Sequence, residues 1–310
     1  MASIQKVEFP NFSWINIDNP TEADIRAIGQ KYNFHPLDLA DCLKPSQRSK
    51  ADAYPKYTFL TFLVPIFNRK TREILAAEVN FFIGKNFLIS LHHNDLKVFT
   101  DFFNLFQLSA DLRQNYQDKS PERLLYEILN KLFLYCFPII DHLSADCDNI
   151  TKAIFSGQER QMVSEILIIR RNITDVRKVM QVHKNVLKKI IASLKANPIF
   201  ALKKDDVYFE SLVDYTKEIW DNLENLKERI EALQKTNESQ ISFKLSDTMR
   251  ILTIISVITF PLTLIAAIFG MNAISAMPFA QSPNGFWYII GIMALILVSM
   301  LTIFKKKGWL

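Results

Sequence analysis

The sequence predicts a cytosolic α+β domain with a small sheet flanked by helices, followed by a long helical stalk and two C-terminal membrane-spanning helices. Three observations predict this arrangement. Residues 251–304 contain no Asp, Glu, Lys, Arg or His. The first 110 residues mix short helical patterns with runs of β-branched and aromatic residues. From about Ser120 onward, the pattern is helical almost throughout.

These observations divide the 310 residues into seven segments. They are an N-terminal α/β domain, a region of long helices, a stalk, a first membrane helix, an external loop, a second membrane helix and a basic tail. Their predicted bounds are 1–118, 119–204, 205–250, 251–270, 271–285, 286–304 and 305–310.

The N-terminal domain is predicted from local signals. Thr21 can cap a helix that continues to about Tyr32, because acidic residues follow it in the first turn. His35-Pro36 opens a short helix through Leu43. Residues 57–67 and 74–91 have the composition of β-strands. The second run is divided by Gly84-Lys85-Asn86, which is a hairpin signal.

Long helices are predicted for the region that follows. Ser120-Pro121-Glu122 combines a cap residue, a proline at the first helical position and an acid, and this helix should end near Phe155. A second helix is expected from about Glu159 to Ala196 without a break.

The stalk is predicted to begin near residue 205 and to enter the membrane without interruption. No proline or glycine occurs in it before Pro261, and at 1.5 Å per residue the helix would reach roughly 95 Å by Phe269. A seam with alternating steps of four and three residues should pack against other helices: Ile219, Leu223, Leu226, Ile230 and Leu233.

The charges that flank the apolar stretch predict its orientation. Lys244 and Arg250 precede the first membrane helix, Lys305-Lys306-Lys307 follows the second, and the loop between the helices has no lysine or arginine. Because positive residues stay on the cytoplasmic side, both termini should be cytoplasmic and the loop external. The three lysines form a basic inner end at the level of lipid headgroups.

One face of the first membrane helix combines small, hydroxylated and single bulky side chains. Membrane helices often pack through such residues, so ordinary helix packing and the lining of a pore both remain open from periodicity alone. The face follows steps of three and four residues: Ser246, Met249, Leu252, Ser256, Phe260, Thr263, Ala267 and Gly270.

Composition favours a membrane transporter or anchor over an enzyme or a nucleic-acid-binding protein. The net charge is only +5, and the three terminal lysines account for much of it. The sequence lacks a phosphate-binding Gly-x-x-x-x-Gly-Lys-Ser/Thr loop and shows no nucleophile–base arrangement, so neither catalysis nor an organic cofactor is expected. The cysteines Cys42, Cys136 and Cys147 form no close-spaced pair and are expected to be reduced, buried thiols.

Four segments together resemble the CorA-type divalent-cation transporters. The sequence contains Phe260-Pro261-Leu262-Thr263, then Gly270-Met271-Asn272, then a second apolar helix and the basic ending Lys305-Lys306-Lys307-Gly308-Trp309-Leu310. His35-Pro36-Leu37 with Asp41 is also similar to the N-terminal domain of that family. The likeness covers the layout of the whole chain.

The resemblance implies a funnel-shaped homopentamer, embedded in the bacterial inner membrane, whose first membrane helices line a central pore. Gly270, Met271 and Asn272 would form the outer mouth, where Asn272 would contact a hydrated Mg²⁺ ion through its waters. Bulky rings at Leu252 and Phe260 would block ions by dewetting. Co²⁺ and Ni²⁺ are further candidate ions. A Zn²⁺ transporter of the same architecture is the alternative, and a non-transporting membrane scaffold is a more distant one.

The resemblance also implies regulation by Mg²⁺ in the cytosol. Asp41 matches the family aspartate that faces an acid on a neighbouring stalk, but Ser211 stands where that acid is common. Glu210 and Asp214 are the nearest candidate replacements. Ser246 and the acid-free external loop are further departures. The Zn²⁺-transporting branch shares the Gly-Met-Asn triplet, so the resemblance specifies the architecture more closely than the substrate.

Overall fold

The computed structural model describes residues 3–44, 46, 48–93, 96–116, 119–200, 206–271, 278 and 282–309. The chain forms two compact units, Met1–Lys235 and Thr236–Leu310. The boundary between them falls inside one long helix.

The first unit begins with a mixed α/β region. Its strands and helices, in chain order, are β1 Ser3–Glu8, β2 Ser13–Asp18, α1 Glu22–Tyr32, α2 Pro36–Asp41, β3 Lys50–Ala53, β4 Tyr57–Asn68, β5 Glu73–Gly84, β6 Phe87–His92, α3 Lys97–Leu108 and α4 Ala110–Gln114. Longer helices follow: α5 Pro121–Phe155, α6 Glu159–Met180, α7 His183–Ala196, α8 Asp206–Phe269 and α9 Gly285–Lys306.

The six strands form one sheet in the order β1-β2-β6-β5-β4-β3. The pair β2–β6 is parallel, and the other neighbours are antiparallel. Successive residues point to opposite faces, so Trp14 belongs to one apolar core and Ile15 to the other. Helices α5 and α6 pack on β4 and β5, while Ile25 of α1 contributes to the core on the opposite face.

The predicted hairpin and the predicted helix starts are confirmed. Strands β5 and β6 pair antiparallel from Gly84↔Phe87 to Val79↔His92, on either side of the turn at residues 85–86. The Thr21 hydroxyl accepts from the backbone N–H of Asp24 at 3.3 Å, and the Asp24 carboxylate accepts from the Thr21 N–H at 2.9 Å. This reciprocal capping box satisfies two backbone donors that the first turn of a helix leaves open.

The expectation of one helix over residues 159–196 is wrong. Helix α6 ends at Met180 and α7 begins at His183, although neither proline nor glycine lies between them. The His183 side chain is fully buried, its Nε2 lies 2.8 Å from the carbonyl oxygen of Leu63 in β4, and α7 packs along β3 and β4. The break therefore follows from a tertiary contact that local sequence does not reveal.

The predicted seam on α8 is confirmed as the face that joins the core of the first unit. All five residues are buried in the larger apolar cluster: Ile219, Leu223, Leu226, Ile230 and Leu233. Aromatic and charged side chains border this face. The Arg177 guanidinium of α6 lies over the Trp220 ring at 5.0 Å, and Arg229 bonds to Asp148 of α5.

Within the part of the chain that the structure describes, two helices are long and apolar enough to cross a membrane, α8 and α9. Helix α8 ends at Phe269, as the sequence predicts, and α9 extends the expected second span by one or two residues at each end. The three cysteines are free and buried in the first unit, and burial raises the pKa of Cys136 to about 12.

Stability should fall as the pH drops from about 6.5 towards about 4, because burial lowers the pKa of His183 to about 4. In the unfolded chain this histidine binds a proton near its ordinary pKa, so the unfolded state takes up more protons within that window. The free energy of unfolding should be roughly 3 kcal/mol higher above pH 6.5 than below about pH 4. His183→Gln should flatten this part of the thermal unfolding profile of the detergent-solubilised protein. His142→Gln, at an exposed position of α5, is the matched control, and an unchanged profile in His183→Gln would contradict the assignment.

Candidate ion pathway on helix α8

The part of α8 in the second unit has a covered face and an uncovered one. The less exposed residues of each helix recur at helical spacing. In α8 they are Ile254, Ile258, Pro261, Leu262, Ile265 and Phe269, and in α9 they are Ile289, Met293, Ile296, Leu297, Met300 and Phe304. One pocket is lined by Ser256, Val257, Phe260 and Pro261 from α8 together with Met300 from α9, so the two helices lie side by side and Ser256 and Phe260 border their contact.

The predicted pore residues lie on the side of α8 opposite to its covered face. A helix turns about 100° per residue, which places Phe260 and Thr263 roughly half a turn away from the line of Ile258 and Ile265. Every member of the predicted set is exposed within the chain, and Phe260 is 78% exposed: Ser246, Met249, Leu252, Ser256, Phe260, Thr263, Ala267 and Gly270. Helix α9 therefore leaves most of this face exposed, with Ser256 and Phe260 at the border of its contact with α8.

The hydroxyl groups of this face point their protons towards the helix backbone. Ser256 Oγ donates to the carbonyl oxygen of Leu252 at 2.9 Å, and Thr263 Oγ1 donates to that of Thr259 at 2.9 Å. A hydroxyl has one proton, so the outward side of each oxygen presents only acceptor lone pairs. Such oxygens suit the waters around a cation, because those waters point their hydrogens outward.

The outer mouth is described only as far as Met271. The Gly270 N–H donates to the carbonyl oxygen of Ala266 at 2.9 Å, and the Met271 N–H donates to that of Ile268 at 3.3 Å. Gly270 is not among the glycines with positive φ, so it does not have the left-handed conformation of a C-cap glycine. Asn272 lies outside the described residues.

The structure places Asp41 in an ionic cluster that the sequence analysis did not anticipate. Its carboxylate pairs with Lys50 at the start of β3, and Lys50 also lies 3.2 Å from Asp52. Lys189 of α7 pairs with the same Asp52 at 3.2 Å. One ammonium group thus already neutralises the carboxylate that the resemblance assigns to a regulatory cation.

The two stalk carboxylates lie apart from that cluster. Glu210 and Asp214 are on the exposed side of α8, while their neighbours Phe209 and Leu212 are buried in the core. Ser211 donates to the carbonyl oxygen of Tyr208 at 2.7 Å. Among the described residues, no group of three or more His, Cys, Asp or Glu side chains is arranged to hold a metal ion within one chain.

The basic inner end continues α9. Lys305 and Lys306 occupy its last turn, Lys307 is the C-cap residue, and all three side chains are exposed. The chain thus combines an α/β unit, a helix of 64 residues and an apolar two-helix hairpin whose first member leaves one face open. These features define an integral membrane protein of the two-span ion-transporter class.

Comparison with known proteins identifies the family. The model of the CorA-like Mg²⁺ transporter protein family matches residues 10–306, and the chain belongs to this family. The cobalt/magnesium transport protein CorA of Thermotoga maritima is 27% identical over 300 residues, which cover 96% of this chain and 83% of that protein. The protein of the same name from Methanocaldococcus jannaschii is 23% identical over 309 residues, which cover 99% and 95%.

Solved structures show the same fold. The complete CorA magnesium transporter of Methanocaldococcus jannaschii superimposes with a TM-score of 0.81 at 22% identity, covering 97% of this chain and 92% of that one. The cytoplasmic domain of ZntB from Vibrio parahaemolyticus gives a TM-score of 0.61 at 10% identity, covering 76% of this chain and 89% of that one. Both comparisons show a shared fold.

Gly270→Ala should reduce ion flux through the assembled protein. An added Cβ at residue 270 would lie 3.2 Å from the carbonyl oxygen of Ala266, a tight contact that this oxygen could relieve only by moving a few tenths of an ångström at the end of α8. Gly291→Ala in α9 is the matched control, because its Cβ would meet nothing within 4 Å. We expect at least a severalfold loss of Mg²⁺ influx into proteoliposomes for Gly270→Ala and wild-type influx for Gly291→Ala. Equal influx in the two variants would show that the geometry at residue 270 does not matter for conduction.

Proposed function

We propose that the chain is a subunit of a membrane channel that carries Mg²⁺ into the cell, with Co²⁺ and Ni²⁺ as further substrates. The observation that supports this most directly is the open face of α8, whose hydroxyl oxygens present lone pairs away from the helix. Residues 251–304 contain no carboxylate, so a divalent ion would meet sites weak enough to release it. In this proposal the protein is a transporter and not an enzyme.

Self-association is part of the proposal, because one α8 helix cannot enclose a pore. A homopentamer would bring five copies of the open face together around an axis, with α9 on the lipid side. Asn272 would then form a ring of amide oxygens at the outer mouth. Mg²⁺ gives up its waters reluctantly, so such a ring suits an ion that enters with its first hydration shell.

The membrane potential is sufficient to drive uptake. An inside-negative potential contributes about 2.3 kcal/mol per elementary charge per 100 mV, or roughly 4.6 kcal/mol for a divalent cation. This corresponds to a gradient of roughly 2,000-fold. The proposed location is the bacterial inner membrane, with both termini cytoplasmic and the loop at residues 271–285 external, because the lysines and arginines flank the other side.

Asn272→Ala should nearly abolish Mg²⁺ influx while leaving the oligomer intact, because it removes the amide oxygens of the proposed filter. Asn284→Ala is the matched control: its position begins α9, and its side chain makes no capping hydrogen bond. Influx and oligomeric state are measured on the same purified protein in liposomes. Influx near the wild-type value in an intact Asn272→Ala oligomer would refute the proposed filter.

The same liposomes decide between the candidate substrates. Uptake of Mg²⁺, Co²⁺, Ni²⁺ and Zn²⁺ is compared at equal potential. Mg²⁺ influx supports the proposal, whereas influx of Zn²⁺ without Mg²⁺ would favour the ZntB-like alternative. A purified monomer without conductance would favour a membrane scaffold.

Closure by cytosolic Mg²⁺ is the proposed regulation, with Asp41 as its carboxylate and Glu210 and Asp214 as candidates on the stalk. Two features of this chain should weaken it. Lys50 already pairs with Asp41, and Ser211 supplies no charge. The affinity of a site for a hard divalent cation decreases when the number of charged ligands decreases.

Ser211→Asp should therefore lower the Mg²⁺ concentration that closes the channel, whereas the neutral Ser211→Asn should not. The measurement is influx, or protection of the first unit from protease, as a function of internal Mg²⁺. Overlapping curves for the two variants would place the regulatory cation elsewhere.

A further inference from the structure

The end of α9 has a defined C-terminal cap. Gly308 adopts φ +67°, its N–H donates to the carbonyl oxygen of Lys305 at 3.1 Å, and the Trp309 N–H donates to that of Phe304 at 3.0 Å. This pair of hydrogen bonds around a left-handed glycine is the Schellman motif. The chain therefore reverses direction after Lys307, and Trp309 lies beside the last turn of α9.

The turn brings Trp309 against the last apolar residue of the helix. The ring centroids of Trp309 and Phe304 are 5.9 Å apart, and the rings are nearly parallel at 17°. Phe304 belongs to the apolar span of α9, so its partner lies where that span ends. Such an apolar contact commonly accompanies the motif and keeps the indole at a fixed depth.

Three ammonium groups lie between the two aromatic residues in sequence. Lys305, Lys306 and Lys307 are exposed, and no acidic side chain of the described residues forms an ion pair with them. Their charge is therefore available for an anionic partner from outside the chain. Indole rings favour the headgroup level of a bilayer, and lysines near the surface attract anionic lipids.

We propose that residues 304–309 form a docking surface for anionic phospholipid headgroups, in which the Schellman turn holds the Trp309 ring at the interface beside the three lysines. Charge complementarity and continuity with a membrane span favour a lipid as the occupant. The proposal requires insertion of α9 into the membrane, and it does not depend on ion conduction.

The test measures quenching of Trp309 by brominated lipids in vesicles that contain the full-length protein. The chain has four tryptophans, so the Trp309 signal is the difference between the wild type and Trp309→Phe. Brominated phosphatidylglycerol should reach half-quenching at about one fifth of the mole fraction needed for brominated phosphatidylcholine, the fold-change that about 1 kcal/mol gives. Equal mole fractions for the two lipids would overturn the proposal.

Two sets of variants separate charge from geometry. Replacing Lys305, Lys306 and Lys307 with Gln should abolish the preference for the anionic lipid, and the same change at the exposed Lys56, Lys70 and Lys85 should leave it intact. Gly308→Val should reduce Trp309 quenching by both lipids, because a β-branched residue does not tolerate a positive φ. Gly308→Asn should retain the quenching, because asparagine adopts this conformation more readily.

A preference that survives the lysine replacements, or equal quenching in the two Gly308 variants, would refute the proposed surface. Ion influx is recorded separately. A protein that shows the lipid preference and conducts no ions would contradict the proposed function and leave the lipid surface standing.

Discussion

The second unit depends on the exclusion of Asp, Glu, Lys, Arg and His from residues 251–304. A hydrocarbon environment offers no water to backbone N–H and C=O groups, so a segment of this kind crosses it as a helix that satisfies those groups internally. The side chains on the surface of two such helices can contact the other helix, the lipid or neighbouring subunits. Helix α9 covers one side of α8, and the side that carries Thr263 and Ala267 is left for other contacts.

In the proposed pathway, the exposed face of α8 would favour cations without any fixed charge. The protons of its hydroxyl groups are used by backbone carbonyls one turn earlier, so the oxygens are acceptors towards the outside. A hydrated cation presents hydrogens to such oxygens, and a hydrated anion does not. Carboxylates would bind a divalent ion more strongly, and their absence from the span is compatible with rapid release.

In the first unit, the neighbouring side chains determine what the Asp41 carboxylate binds. Asp41 is at the position that the resemblance assigns to cation sensing, yet in this chain its partner is the ammonium group of Lys50. Lys50 in turn is shared with Asp52, and Asp52 with Lys189, which links α2, β3 and α7 through alternating charges. A divalent ion would have to compete with these lysines for its ligands. This competition, together with Ser211, is the physical basis for the weak closure by Mg²⁺ that we propose.

The sequence by itself determined the features that local chemistry controls. The caps at Thr21 and Ser120, the hairpin after Gly84 and the seam through Ile219 and Ile230 depend on residues close to one another along the chain. The end of α8 at Phe269 and the span of α9 follow from hydropathy. Composition and spacing were sufficient for each of these, and the resemblance placed them in one family.

Only the tertiary structure decided the features that depend on distant residues. Strand β3, with the sequence Lys-Ala-Asp-Ala, has little intrinsic strand preference and is extended because it pairs with β4. The break between α6 and α7 accompanies the burial of His183 against Leu63, which lies 120 residues earlier. The pairing of Asp41 with Lys50 and the choice of which face of α8 meets α9 are likewise set by three-dimensional packing. Periodicity shows that a helix has two faces, but only its neighbours determine which face is covered.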